Sequence, residues 1–393
     1  MSARESWAYL SRVVEGPSRH LQDLFREGHS ADDIAAAIRN RKPWLGPLLG
    51  ETASRHGWER ATEDLARIEE LGGRLITPED TEWPRRELDQ AFGFAASGLS
   101  EHIRSHQADA VPPHALWVRG GSLARAIAQS VAVVGTRAVS RYGMEATRMI
   151  TGGLSSHQWS IVSGGALGID TAAHEEVLQK QGTTVMVAAC GLDRAYPARN
   201  QPLFDQIASS GSGVVVSEYP PGIPPQRHRF LTRNRLVAAL TQGTVIVEAA
   251  WRSGALNTLS WASALGRVAM AVPGPVTSAN SLGCHDRIRD GRAQLVTSSD
   301  DIRALLGGIG ELDLEKQYEL QFPGTAPQGL SRNELRVYDA LEENRDRDTE
   351  EVAATAGLPL ALTVHLLVDL GKQGLVLRNG TRWRRNTPGD QEV

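Results

Sequence analysis

The sequence predicts an α/β protein: a largely parallel sheet covered by helices on both faces, preceded by an N-terminal helical domain and followed by a small winged-helix domain. Three observations carry this prediction. Between residues 131 and 274, short apolar runs such as 131–134 and 245–247 recur at strand length, with helical stretches between most of them. Several of these runs pass directly into glycine-rich loops that open a helix. Near the C-terminus, three helical stretches precede the dipeptide Asn379-Gly380, a strong hairpin signal.

The elements follow in order. From Trp7 to about Leu71 the pattern is helical, with Leu21, Leu24 and Phe25 on one stripe and Leu65, Ile68 and Leu71 on another, and Gly72-Gly73 ends the last helix. Residues 1–72 are therefore expected to form the helical domain. A short strand is predicted at 74–77. Residues 81–113, with Trp83-Pro84 and Pro112-Pro113, read as a connector into a strand at 116–119. Further strands are predicted near 131–134, 159–163, 184–190, 213–217, 244–248 and 268–272. Their alternation with helices requires right-handed crossovers, so a core domain is assigned to 73–306. Gly- and Pro-rich sequence marks 307–329 as a linker.

The last domain, 330–386, starts with a capping box, Ser331 to Glu334. Thr349 opens a second helix ended by Gly357, and Leu362, Leu366, Leu367 and Leu370 line a third. Strand arms around Asn379-Gly380 complete the winged helix.

Composition limits the function classes. A chain of 393 residues suggests two or three domains. Its two cysteines, Cys190 and Cys284, form no disulfide framework and suit a reducing, cytoplasmic setting. No apolar run reaches membrane-spanning length, so a soluble protein without membrane insertion is expected. With 42 basic and 46 acidic residues the net charge is −4, so any affinity for a polyanion must be local.

Local signals of that kind are present. The loops Gly135-Thr136-Arg137, 163–170 and Arg252-Ser253-Gly254 each fall where a strand hands over to a helix. Helix N-termini present N–H groups and a dipole that favour an anion, and Arg137 adds a cation suited to phosphate. A second cluster, 227–235, holds Arg227, His228, Arg229, Phe230, Arg233, Asn234 and Arg235 and no acid. Arginines that track a backbone, with an aromatic face that stacks a base, are the two parts of single-strand recognition. Blander readings exist: glycine loops as plain turns, Phe230 as core, and Arg229, Arg233 and Arg235 as a solvated helix face. The convergence of the basic cluster with three anion loops favours nucleic acid.

The motifs also carry a resemblance. Val133-Val134-Gly135-Thr136-Arg137 with Ser140, Tyr142 and Gly143, the run 163–170 with Ala173-His174, Gly191-Leu192-Asp193, Tyr196-Pro197, the run 217–222, Phe230 to Arg235, Val247-Glu248-Ala249, Ser253-Gly254 and Pro273-Gly274 together resemble the DNA-processing protein A (DprA/Smf) family over about 74–302. The resemblance implies an extended Rossmann-like core that binds single-stranded DNA and helps place RecA recombinase on strands covered by single-strand-binding protein. It further implies a role in DNA uptake, natural transformation (competence) or recombination, pairing as a homodimer, no cofactor and no enzymatic activity. Carried over by position, Arg137 would grip a phosphate, Ser163, Gly164 and Gly165 would donate backbone N–H groups, and Phe230 with Arg227, Arg233 and Asn234 would hold stacked nucleotides, with Thr136, Ser253 and Gly254 as further nucleic-acid-binding candidates. The sequence departs from the family pattern at Leu167, where an arginine is common, at Leu231, where a proline is common, and at Gly283-Cys284-His285.

Two other classes remain open. The same type of sheet hosts nucleotide and nucleoside-phosphate hydrolases, and Asp170, His174, Glu218 and Glu248 fall near strand ends where a base or metal ligand acts. No Gly-Lys-Ser/Thr phosphate loop and no zinc spacing accompany them. Asp170 reads more simply as an N-cap and Glu248 as a buried organiser of the adjacent loop. A sequence-specific transcription factor would need groove-reading polar residues on its recognition helix. The stretch 360–370 contains His365, Asp369 and almost no groove-reading polar residues; Arg378, Arg382, Arg384 and Arg385 on the wing could touch phosphates but read more simply as a solvated strand face.

Overall fold

The computed structural model describes residues 2–100, 109–307 and 330–386. The chain divides into two compact units, Met1–Leu312 and Asp313–Val393. Apart from Gly307, the linker expected at 307–329 lies outside the described residues.

Unit 1 is organised by one sheet in the order β1-β2-β6-β5-β4-β3-β7-β8-β9. Its strands are β1 (Gly73–Ile76), β2 (Leu116–Gly120), β3 (Ser130–Val134), β4 (Ser160–Ser163), β5 (Thr184–Ala188), β6 (Val214–Ser217), β7 (Gly243–Ile246), β8 (Val268–Ala271) and β9 (Gln294–Leu295). The pairs from β6 across to β9 are parallel, and β2 joins them antiparallel to both β6 and β1. Strands β3 to β7 are buried along their whole length, as the Val-rich runs require of a sheet covered on both faces. Residues alternate between the layers: Val131 and Val133 join one buried cluster, Ala132 and Val134 another. From β3 to β6 the chain winds in one direction and then crosses back to place β7 on the other side of β3. The switch point therefore lies between β3 and β7, where ligands of doubly wound sheets bind.

Three helices of the N-terminal block, α1 (Ala3–Val13), α2 (Arg19–Arg26) and α3 (Ala31–Arg39), pack with α4 (Ala61–Glu70) into a buried cluster. That cluster also contains Trp117, Met186, Ala188 and Phe204 of the sheet layer. Arg12 in α1 pairs with buried Asp64 and donates to the carbonyl of Pro221 at 2.6 Å, and the Trp117 indole donates to Ser11 at 2.9 Å. The boundary expected at 72/73 thus falls inside unit 1, because apolar surface on both sides of it is buried in common.

The connector expected at 81–113 contains a helix, α5 (Arg85–Ala96). Pro84 is its non-helical cap residue, so Trp83-Pro84 starts a helix where the sequence suggested a loop. Leu88, Ala91, Phe92 and Ala95 are its buried stripe. Strand β9 was not expected; it has two residues, both exposed, too few for a period-two pattern.

The longer helices that follow in unit 1 are α6 (Arg141–Ser156), α7 (Ile169–Gln179), α8 (Gln201–Ser209), α9 (Arg227–Ala239), α10 (Ala255–Ala264), α11 (Leu282–Arg289) and α12 (Ser299–Leu306).

Unit 2 holds α13 (Arg332–Asp339), α14 (Thr349–Ala356) and α15 (Leu360–Lys372) with a three-stranded antiparallel sheet of β10 (Arg347–Asp348), β11 (Val376–Asn379) and β12 (Arg382–Arg385). The capping box from Ser331 to Glu334 is formed, and Gly357 ends α14 in the left-handed region at φ 63°. Thr349 is the first residue of α14, as expected, and Asp348 caps it. Asn379 pairs with Arg382, so the hairpin turns at Gly380-Thr381, one residue later than expected, with Gly380 at φ 62°. Val337, Val352, Leu367, Leu370 and Trp383 form its core.

Candidate nucleic-acid interface

At the switch point the loop after β3 is held from both sides. The Thr136 N–H donates to the carbonyl of Glu248 at 2.7 Å, and its own carbonyl accepts from Ile169 at 3.2 Å. The buried carboxylate of Glu248 accepts from the Ser140 N–H at 2.9 Å, the organising role expected of it. The loop is fixed but its side chain is free. Arg137 is exposed, has no acidic partner among the described residues, and sets its guanidinium 5.9 Å from the centre of the Phe230 ring.

The loop after β4 is arranged differently. Ser163 is buried and its hydroxyl donates to the carbonyl of Val133 at 2.6 Å. The N–H groups of Gly164 and Ala166 point to the buried carboxylate of Asp170, the latter at 3.2 Å. Burial pushes the Asp170 carboxyl up from its ordinary pKa, against the opposing pull of Arg233 and these N–H groups. Asp170 is not the helix cap: Gly168 holds that position, and Asp170 sits in the first turn of α7 and ties the loop from there. A side chain at Gly164 would collide with the guanidinium of Arg233. The N–H groups expected to bind a phosphate at Gly164 are thus engaged inside the protein.

The arginines of α9 divide in the same way. Arg227, at the first turn, is exposed and has no acidic partner among the described residues. Arg229, Arg233 and Arg235 are buried, at 5%, 6% and 0% exposure, which overturns the solvated-face reading. Each is engaged by a segment distant in sequence. Arg229 binds Glu15, which precedes α2; Arg233 donates to the carbonyls of Gly164, at 2.5 Å, and Val187; Arg235 pairs with buried Glu218 at 2.5 Å. Asn234 is nearly buried and donates to Asn257 of α10 at 3.1 Å. Phe230 is half-buried, belongs to none of the buried core clusters, and lies 5.2 Å from the ring of Tyr196 at an interplanar angle of 50°.

Past β7, the Ser253 hydroxyl accepts from Ala255 at 3.3 Å and Gly254 stands at the N-cap of α10. These segments enclose an open cavity of about 810 Å³ at the carboxyl ends of β3 and β7. Thr136, Arg137, Gly164, Arg227, Phe230, Arg233, Asn234, Ser253 and Gly254 line it, whereas Ser163 and Gly165 lie beneath. Tyr196 and Arg252 also line it; the sequence named Arg252 only as the start of the third loop and Tyr196 only within the resemblance, and gave neither a contact. Arg252 is exposed and, like Arg137 and Arg227, has no acidic partner among the described residues. Its position inside the third loop was the available signal; for Tyr196 no local pattern announces a contact with a helix 34 positions away. Four arginines face the cavity against one carboxyl, that of Asp170.

The model of the family described as DNA recombination-mediator protein A matches residues 74–307. The chain belongs to that family. It is 44% identical over 384 residues to a DNA processing protein DprA of Mycobacterium tuberculosis, spanning 96% of this chain and 93% of that one. It is 40% identical over 265 residues to the protein Smf of Escherichia coli, spanning 67% and 69% respectively. The X-ray structure of DNA processing protein A from Streptococcus pneumoniae superposes with a TM-score of 0.61 at 28% identity, covering 78% of this chain and 99% of that one.

Within this family fold, the four groups weighed as hydrolytic residues are all buried, and each has an internal role. Asp170 and Glu248 hold loops, and Glu218 neutralises Arg235. His174 accepts or donates through Nδ1 to the Thr184 hydroxyl at 2.7 Å, and burial together with Arg233 pulls its pKa down to about 3. Among the described residues no group of three or more His, Cys, Asp or Glu is placed to hold a metal ion. Cys190 and Cys284 are buried free thiols. No single helix among the described residues is long and apolar enough to cross a membrane.

Proposed function

We propose that the protein binds single-stranded DNA in the cleft between the ends of β3 and β7. The carrying observation is the combination of three exposed arginines without acidic partners, Arg137, Arg227 and Arg252, around the paired rings of Phe230 and Tyr196. Unpaired guanidiniums at a rim attract a phosphate backbone, and an aromatic face between them takes a base of any identity. The net charge of −4 keeps this attraction confined to the cleft. Membership of the family supports the further reading that the protein loads RecA recombinase onto strands coated by single-strand-binding protein, in DNA uptake or recombination in the cytoplasm. It also supports action as a homodimer and as a non-enzymatic mediator without a cofactor. Unit 2 we read as a winged helix that assists docking.

Fluorescence anisotropy with labelled single and double strands across a salt series tests the core of this proposal. Single strands should bind more tightly, and Arg137→Ala should make the slope of log affinity against log salt shallower by one contact's worth, about 0.7. Equal affinity for duplex, or an unchanged slope in a normally folded variant, refutes it.

A further inference from the structure

A second cleft of about 500 Å³ opens on the far side of Arg137, between the start of α7 and α8. The two clefts share their walls. In the loop after β3, Thr136 faces the first cleft, Val139 the second, and Arg137 both. In the loop after β4, Ala166 faces the first cleft and Leu167 the second. The short segment before α8 repeats the pattern, with Tyr196 on the first cleft and Arg199 on the second. Between them lies a smaller cavity of about 130 Å³ bounded by Arg137, Leu167, Tyr196 and Phe230. Arg137 therefore lines all three spaces, which adjoin at its side chain.

The second cleft is built for the same backbone chemistry. Arg199 is exposed and has no acidic partner among the described residues. Its neighbour Asn200 is buried and donates to the carbonyl of Gly165 at 3.1 Å and to the Thr171 hydroxyl at 2.8 Å, so the segment carrying Arg199 is tied to the loop that floors the first cleft. Leu167, 37% exposed, gives the crossing an apolar surface for a sugar or base edge. One acid, Glu175, stands at this cleft and opposes the attraction.

We infer that a bound single strand continues past Arg137 into this second cleft, where Arg199 grips a further phosphate. This rests on the single-strand reading of the first cleft and extends its footprint.

The test compares the affinity of a fluorescently labelled thymidylate tetranucleotide with that of a dodecanucleotide, for the full chain and for Arg199→Ala and Glu175→Gln. The quantity read is the ratio of dodecanucleotide to tetranucleotide affinity, which cancels any general weakening. Arg199→Ala should lower this ratio several-fold and make the salt slope on the longer strand shallower by about 0.7. Glu175→Gln should raise the ratio. Both side chains are exposed, so thermal midpoints should stay at the wild-type value. A ratio unmoved by both variants overturns the inference while leaving the first cleft intact. Failure of the wild-type chain to bind either strand instead refutes the single-strand reading, and the inference with it.

Discussion

The loops after β3 and β4 look alike in sequence, both glycine-bearing turns between a strand and a helix, yet they do opposite things in the structure. The first is anchored through its backbone, by Glu248 and Ile169, and leaves Arg137 facing solvent. The second is anchored through the groups that would otherwise meet a ligand: its N–H groups turn to Asp170, and the Gly164 carbonyl accepts from Arg233. The difference comes from the first turn of α7, where a buried acid supplies internally the anion that such a loop attracts. A glycine loop marks where the chain turns and not where its donors go. One loop is a contact surface and the other the foundation beneath it.

The largest effect that separates them is on folding. Arg233→Ala removes the donor from two buried carbonyls and the cation nearest buried Asp170. Breaking such a buried charged arrangement costs on the order of 3–5 kcal/mol. Arg137→Ala, exposed and unpaired, should stay within about 0.5 kcal/mol of wild type. Chemical denaturation of the two variants side by side checks this. If Arg233→Ala kept its stability and lost only DNA affinity, the foundation role assigned to the second loop would be wrong.

Phe230 sharpens the same contrast on the binding side. It stands on α9 one turn before Arg233, but its ring faces Tyr196 and Arg137 and joins no buried cluster. Phe230→Ala should cost about 1–3 kcal/mol of single-strand affinity. Were it core, the loss would appear as about 3–5 kcal/mol of stability. Thermal midpoint and affinity measured on one preparation decide, and a large stability loss with intact binding would return Phe230 to the core.

What the sequence made legible follows from local physics. Strands β3 to β7 are short runs with apolar cores because both faces of a parallel sheet are buried, and the loops at their carboxyl ends follow from the crossover rule. The first loop and Phe230 could be placed on the cleft for that reason. The burial of Arg229, Arg233 and Arg235 could not be read, because a cation is exposed or buried according to its partner, and Glu15, Gly164 and Glu218 come from three other segments. Tyr196 was hidden by the same rule, since its contact with Phe230 exists only after β5 and α9 have been brought together. The N-terminal helices read as a domain because their amphipathic pattern does not say whose apolar surface completes it; Trp117 and Phe204 of the sheet layer do.

The smallest expected effect concerns unit 2, and it contrasts the cleft with α15. Where the cleft rim carries unpaired arginines, the outward side of α15 carries Leu360, Val364 and Val368, spaced four apart and 47%, 44% and 37% exposed. Its exposed polar groups are tied to one another: Asp369 faces His365 at 3.2 Å and Lys372 at 3.0 Å. A helix with that surface neither tracks phosphates nor reads base edges, so it adds little to single-strand affinity. Unit 1 contains three buried clusters of its own and should fold without unit 2. A chain ending at Gly329 should therefore bind a labelled single strand within a few fold of the full-length protein, and faster RecA assembly on coated strands should persist at least in part. A truncated chain that folds normally but loses most of its affinity would make unit 2 the principal binding surface, and the rim arginines of the cleft would then need another partner.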